Sequence, residues 1–105
     1  MTVRYTPEAI RDLQEMRQYI SKTLCNPKAA TRISKMILDT CSRLKQHPQM
    51  GAPIESKIGR PTNLRYLICE KRIAFYRIDG ETISVARIID GRQDYLHILF
   101  HEDNE

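Results

Sequence analysis

Two helix-start signals, Thr6-Pro7-Glu8 and Asn26-Pro27, constrain this chain more than any other feature of its sequence. Each places a side-chain acceptor just ahead of a proline. Proline suits the first helical position, where its missing N–H would have no partner, and Thr or Asn caps the free amides that follow. Glu8 adds a negative charge at the positive end of the helix dipole. Behind the first signal, Ile10, Leu13, Met16, Ile20 and Leu24 recur at helical spacing. Behind the second, Ala30, Ile33, Ile37, Cys41 and Leu44 do the same. Two amphipathic helices joined by a tight break form an antiparallel hairpin, and each stripe needs an apolar surface to cover it. The second helix ends before His47-Pro48, because a residue ahead of proline is pushed out of the helical region.

The rest of the chain supplies that surface. Residues 2–5 alternate as a brief strand, and residues 48–62, with three prolines and two glycines, read as a loop. Strands are expected over 64–69, 72–78 and 82–89, with turns at Glu70-Lys71 and Asp79-Gly80. Asp-Gly between two β-rich runs is a strong hairpin signal, and Ile73, Phe75, Tyr76, Ile83 and Val85 suit a half-buried sheet. A short apolar segment, residues 95–100, closes the chain. The fold class is therefore α+β, in the order β-α-α-β-β-β, with the helical hairpin packed on a small twisted antiparallel sheet. At 105 residues the expectation is one domain spanning 1–105, with an acidic tail from about residue 101.

Charge and cysteine usage narrow the function classes. Residues 1–50 hold nine basic and four acidic side chains, a net of +5, whereas residues 91–105 hold one and four, a net of −3. A basic body meets nucleic acid, an acidic protein or a membrane surface. Cys25, Cys41 and Cys69 form no C-x-x-C pair, so neither a zinc knuckle nor a disulfide framework is indicated. Reduced thiols, the lack of an apolar secretory core in the first residues, and no apolar run near the ~20 residues of a membrane span point to the cytoplasm. There is no Gly-rich phosphate loop and no H-E-x-x-H. His97 and His101 alone are too few for a metal site, so neither metal nor cofactor is expected.

The arginines of the strand half carry the functional question. Arg65, Arg72, Arg77 and Arg87 lie in or at the ends of strands, with Arg92 just beyond. Several guanidiniums on one open sheet face would bind phosphate oxygens, and Tyr76 or Tyr95 would stack on a splayed base. The opposing reading is a solvated polar face, balanced by Glu70, Asp79, Glu81, Asp90 and Asp94.

Taken in order, these motifs resemble the RelE/ParE superfamily of bacterial toxins from type II toxin–antitoxin modules. The resemblance runs over about residues 3–100. It rests on Tyr5-Thr6-Pro7-Glu8-Ala9, Asn26-Pro27-Lys28-Ala29-Ala30, Leu44-Lys45-Gln46-His47-Pro48-Gln49-Met50-Gly51, Leu64-Arg65-Tyr66, the run from Arg72 to Ile78, Arg87-Ile88-Ile89 and Gly91-Arg92-Gln93-Asp94-Tyr95. It implies one of two mechanisms. RelE-like members cut messenger RNA on the ribosome, and there Arg65, Arg72, Arg87 and Tyr95 match the catalytic positions. ParE-like members inhibit DNA gyrase by binding and are not known as nucleases. Asp90 stands where many RNA-cutting relatives place a histidine, and it would repel a scissile phosphate. The Asn-Pro bend of the hairpin and the Pro-x-x-Gly loop also look ParE-like, so that branch is favoured.

For this branch Arg77, Arg87, Arg92 and Tyr95 are the expected target contacts. The resemblance also implies a cognate antitoxin whose C-terminal segment, extended and helical, wraps the toxin's apolar grooves in a hetero-oligomer. Met16, Tyr19 and Ile20 on the first helix, with Leu96, Ile98, Leu99 and Phe100 near the C-terminus, are the expected antitoxin contacts. A basic body suits an acidic antitoxin segment.

Overall fold

Both proline-led signals form capped helices. In the computed structural model, which describes residues 1–59 and 62–100, the Thr6 hydroxyl accepts from the Ala9 amide at 3.1 Å and opens α1, Pro7–Gln18. The Asn26 side chain accepts from the Ala29 amide, also at 3.1 Å, and opens α2, Pro27–Ser42. A π-helical turn, Tyr19–Thr23, extends α1, and Cys25 at φ 53 lies in the bend before α2. The inward face of α2 is the expected one: Ala30, Ile37 and Cys41 are buried, as is Leu44 in the 3-10 turn that follows. The α1 stripe differs from expectation. Ala9, Met16 and Ile20 are buried and Leu13 half-buried, while Ile10 and Leu24 are 45% and 54% exposed. The inward face begins at Ala9 rather than Ile10, and the wider π turn breaks the 3.6-residue spacing before Leu24.

Five strands, β1 (Thr2–Tyr5), β2 (Ala52–Pro53), β3 (Arg65–Cys69), β4 (Arg72–Asp79) and β5 (Thr82–Asp90), form one sheet in the order β1-β5-β4-β3-β2. It is mixed rather than wholly antiparallel, because β1 pairs in parallel with β5. Residues 48–62 hold more than the expected loop: β2 adds an edge to β3, and a short helix, α3 (Glu55–Ile58), ends at Gly59 with φ 71. The β4–β5 hairpin turns on Gly80-Glu81, since Asp79 pairs with Thr82. Glycine at φ 60 in the first loop position is the type II′ arrangement, whose twist matches that of the strands.

A register shift at Phe75/Tyr76 leaves Ala86 as an extra residue in β5. Such a bulge lets Val85 and Ile88, three residues apart, both join the core under the helices. That core also holds Ala74, Tyr76 and Ile83 from the sheet. Cys41 and Cys69 are buried within it beside Tyr5. The Cys69 hydrogen bond and burial push the Cys41 thiol up, and burial pushes the Tyr5 hydroxyl up.

The far side of the sheet is not open, as a shared arginine face would require. Phe75, Ile89 and Ile54 are buried there, packed against Leu64, Tyr66 and Ile73 and against α4, Tyr95–Phe100. The final apolar segment is thus a helix that caps a second, smaller core. Among the described residues no helix is long and apolar enough to cross a membrane.

Candidate functional site

Arg87 emerges from the bulge of β5 and is held before it can serve anything else. Its guanidinium donates to both carboxylate oxygens of Asp12 on α1, at 2.8 and 2.9 Å. Asp12 also accepts from the Ile88 amide at 2.8 Å. The forked geometry makes this a strong charge-assisted pair and raises the guanidinium's affinity for its proton further. The pair fastens α1 to β5. Asp12 was not among the expected site residues, although an acid on the sheet-facing side of α1, between Ala9 and Met16, is a legible signal for such a partner.

Two clefts flank this pair. The first, about 420 Å³, lies between α4 and the start of α1, and Arg77 and Arg87 line it with Thr6, Glu8, Ile98 and Phe100. Arg77 is itself paired with Asp79 at 3.0 Å. The second, about 410 Å³, is framed by Tyr19, Glu15, Arg72, Asp90 and Arg92 over a floor of Met16 and Ile88. There the Asp90 carboxylate accepts two bonds from the Arg92 guanidinium, at 3.0 and 2.7 Å, and one from the Arg92 amide at 2.9 Å. These bonds hold the Asp90 carboxyl well below the usual carboxylate range, against the cost of its partial burial. Asp90 is therefore a turn-builder whose charge Arg92 offsets, with Arg72 close by.

The expected catalytic quartet does not converge. Arg65, at the outer edge of the sheet, donates to the Gly51 carbonyl at 2.9 Å and the Gln49 carbonyl at 3.3 Å. Arg72 and Arg87 line different clefts, and Tyr95 packs on Phe75 in the second core, ring centroids 5.4 Å apart. The target contacts Arg77, Arg87 and Arg92 likewise divide between the two clefts, and only Arg92 has a guanidinium mostly in solvent.

Of the expected antitoxin contacts on the first helix, Met16 and Ile20 are 8% and 4% exposed and belong to the core. Helical spacing alone does not distinguish a core stripe from a docking stripe. Tyr19 is exposed and lines the second cleft. Leu96, Ile98, Leu99 and Phe100 are half-buried on α4. Among the described residues no cluster of three or more His, Cys, Asp or Glu could hold a metal. His101 lies outside the described residues.

A further anchored feature is the turn 48–51. The Tyr76 hydroxyl donates to the Pro48 carbonyl at 2.8 Å and accepts from the Gly51 amide at 2.9 Å. A Cβ on Gly51 would lie 2.5 Å from the Tyr66 carbonyl oxygen, so this contact demands glycine. Together with Arg65, these bonds hold a rigid turn at the sheet edge.

Comparisons with known proteins agree with this architecture. The family model described as the ParE toxin of the type II toxin-antitoxin system, parDE, matches residues 3–95. A solved structure described as a chromosomal ParDE TA system from P. aeruginosa superposes with a TM-score of 0.72 at 25% sequence identity. The match covers 86% of this chain and 95% of that one. No curated protein matches the sequence.

Proposed function

This chain belongs to the ParE toxin family of type II toxin–antitoxin systems, and from that premise we propose that it inhibits DNA gyrase by binding it. A cognate antitoxin holds it inactive in a toxin–antitoxin hetero-oligomer, and both act in the cytoplasm. The proposed toxin domain spans residues 1–105, with the acidic tail from about residue 101 as its end. The observation that carries the non-nucleolytic reading is the dispersal of Arg65, Arg72, Arg87 and Tyr95 over two clefts, a turn and a second core. Cleavage of RNA through a 2′-hydroxyl needs a base, an acid and cations within hydrogen-bond reach of one phosphate. Arg87 meets Asp12 instead, and Asp90 sets a carboxylate beside Arg72.

Binding needs no such convergence. Arg77 and Arg87 line the cleft beside α4, Arg92 lines the second cleft, and Tyr95 sits on α4 against Phe75. These four residues, on either side of the Asp12–Arg87 pair, are the proposed gyrase contacts. Tyr19 and the half-buried face of α4 are the proposed antitoxin contacts, and a chain of charge +4 favours an acidic segment there.

Induction of the chain without its antitoxin tests the reading. Growth should stop while transcripts keep intact coding regions. New 5′ ends inside codons of translated messages, abolished by Arg72→Ala or Tyr95→Phe, would establish the ribosome-dependent endonuclease instead.

A further inference from the structure

Acids and bases divide across α1. Glu8, Asp12 and Glu15 follow one another at helical spacing and line the two clefts already described. Between α1 and the start of α2 runs an open groove of about 650 Å³ that no carboxylate lines. Its polar side chains are Gln14, Arg17, Gln18, Ser21, Lys22 and Thr31. Arg17 and Lys22 are exposed, and among the described residues neither belongs to an ion pair, in contrast to Arg77, Arg87 and Arg92. The π-helical turn supplies part of this lining. It sets Ser21 and Lys22 in the same groove as Arg17 and Gln18 from the end of α1. Such turns are rare and recur at functional sites.

Every polar side chain of the groove can donate a hydrogen bond, and two carry positive charge. Arg, Lys, Ser, Thr and Gln are the side chains that grip nucleic-acid phosphates. An acidic protein segment would share the charge attraction, but a protein interface also needs a buried apolar or aromatic anchor at its centre. Here the apolar lining is only Pro27 and Ala30. We propose that the α1–α2 groove binds the phosphate backbone of double-stranded DNA, with Arg17 and Lys22 each neutralising a phosphate and Gln14, Gln18, Ser21 and Thr31 donating to phosphate oxygens. The choice of DNA rests on the gyrase reading, which sets the chain against an enzyme that holds a duplex. To that reading it adds a second, sequence-independent contact on the side of α1 away from the proposed gyrase contacts.

Fluorescence anisotropy of a short labelled duplex, titrated with the purified chain in the absence of gyrase, tests the contact apart from the target. Neutralising two phosphates makes the affinity fall roughly tenfold between about 50 and 200 mM salt. Arg17→Gln combined with Lys22→Gln should weaken binding at least about tenfold at the lower salt and remove most of the salt dependence. Gln18→Lys, which adds a cation to the groove, should tighten binding and steepen the salt dependence, a gain that misfolding cannot imitate. Arg43→Gln also removes a cation, but at the far end of α2, and should change the affinity by less than about twofold. No binding by the unaltered chain at about 50 mM salt, or equal binding by the double variant, would overturn the proposal. An equal loss with Arg43→Gln would reduce the contact to net charge and overturn it too. Tighter binding of polyglutamate than of duplex, lost in the double variant, would overturn it in favour of an acidic protein partner. All of these leave the gyrase reading standing. Duplex binding by a chain that does not inhibit purified gyrase would overturn the gyrase reading and leave the groove's DNA contact in place.

Discussion

At the scale of single residues, Asp12 does the most to join the two layers. It holds Arg87 and also takes the Ile88 amide, so Asp12→Ala leaves two partly buried donors without an acceptor. The expected loss is about 2–3 kcal/mol in urea unfolding, larger than that of Arg87→Ala, which leaves the Ile88 amide satisfied. Ser34 is the opposite case. Its buried hydroxyl has no partner among the described residues, so Ser34→Ala should leave stability unchanged or raise it by up to ~1 kcal/mol. Asp90 sets a pH dependence. Arg92 depresses its folded pKa, so around pH ~4 the folded chain binds fewer protons than the unfolded one. Stability from this group is present above that range and is lost as the pH falls through it. Asp90→Asn should therefore flatten the acid limb of a stability-against-pH curve, and an unaltered limb would assign that limb to other carboxylates.

At the scale of elements, the caps were legible and the pairings were not. Thr6 and Asn26 announce α1 and α2 because capping is local chemistry, carried within four residues. That the Thr6 hydroxyl also donates to the Ala86 carbonyl at 2.8 Å, fastening helix to bulge, depends on a strand eighty positions away. Thr6→Ala should accordingly cost about 2 kcal/mol, above a typical cap loss, whereas Thr6→Ser should recover most of it. Urea midpoints of the two variants separate a cap from a cap-and-clasp. The short β2 and α3 were hidden because prolines and glycines signal a break in regular structure. Gly51 is explained only by a contact across the fold, where the Tyr66 carbonyl and the Tyr76 ring leave no room for a Cβ.

For the whole molecule, hydrophobic patterning showed a helical hairpin on a sheet, but it did not assign partners to charges. The arginines of residues 65–92 looked like a shared face because alternation fixes a side chain's direction and says nothing of what waits there. The bulge at Ala86 and the turn at Gly91 send Arg87 to Asp12 and Arg92 to Asp90, and α4 covers the face expected to be open. Those are long-range facts. Arg77, Arg87 and Arg92 are paired with carboxylates and Arg65 with carbonyls, a dispersal that supports the proposed docking on a protein over cleavage of a phosphodiester. Purified chain titrated into a supercoiling reaction of purified gyrase, relaxed plasmid and ATP tests this most directly. Supercoiling should be lost as the chain approaches the gyrase concentration, and equimolar antitoxin should restore it. Undiminished supercoiling at a large excess of a chain that arrests growth in cells would contradict the account.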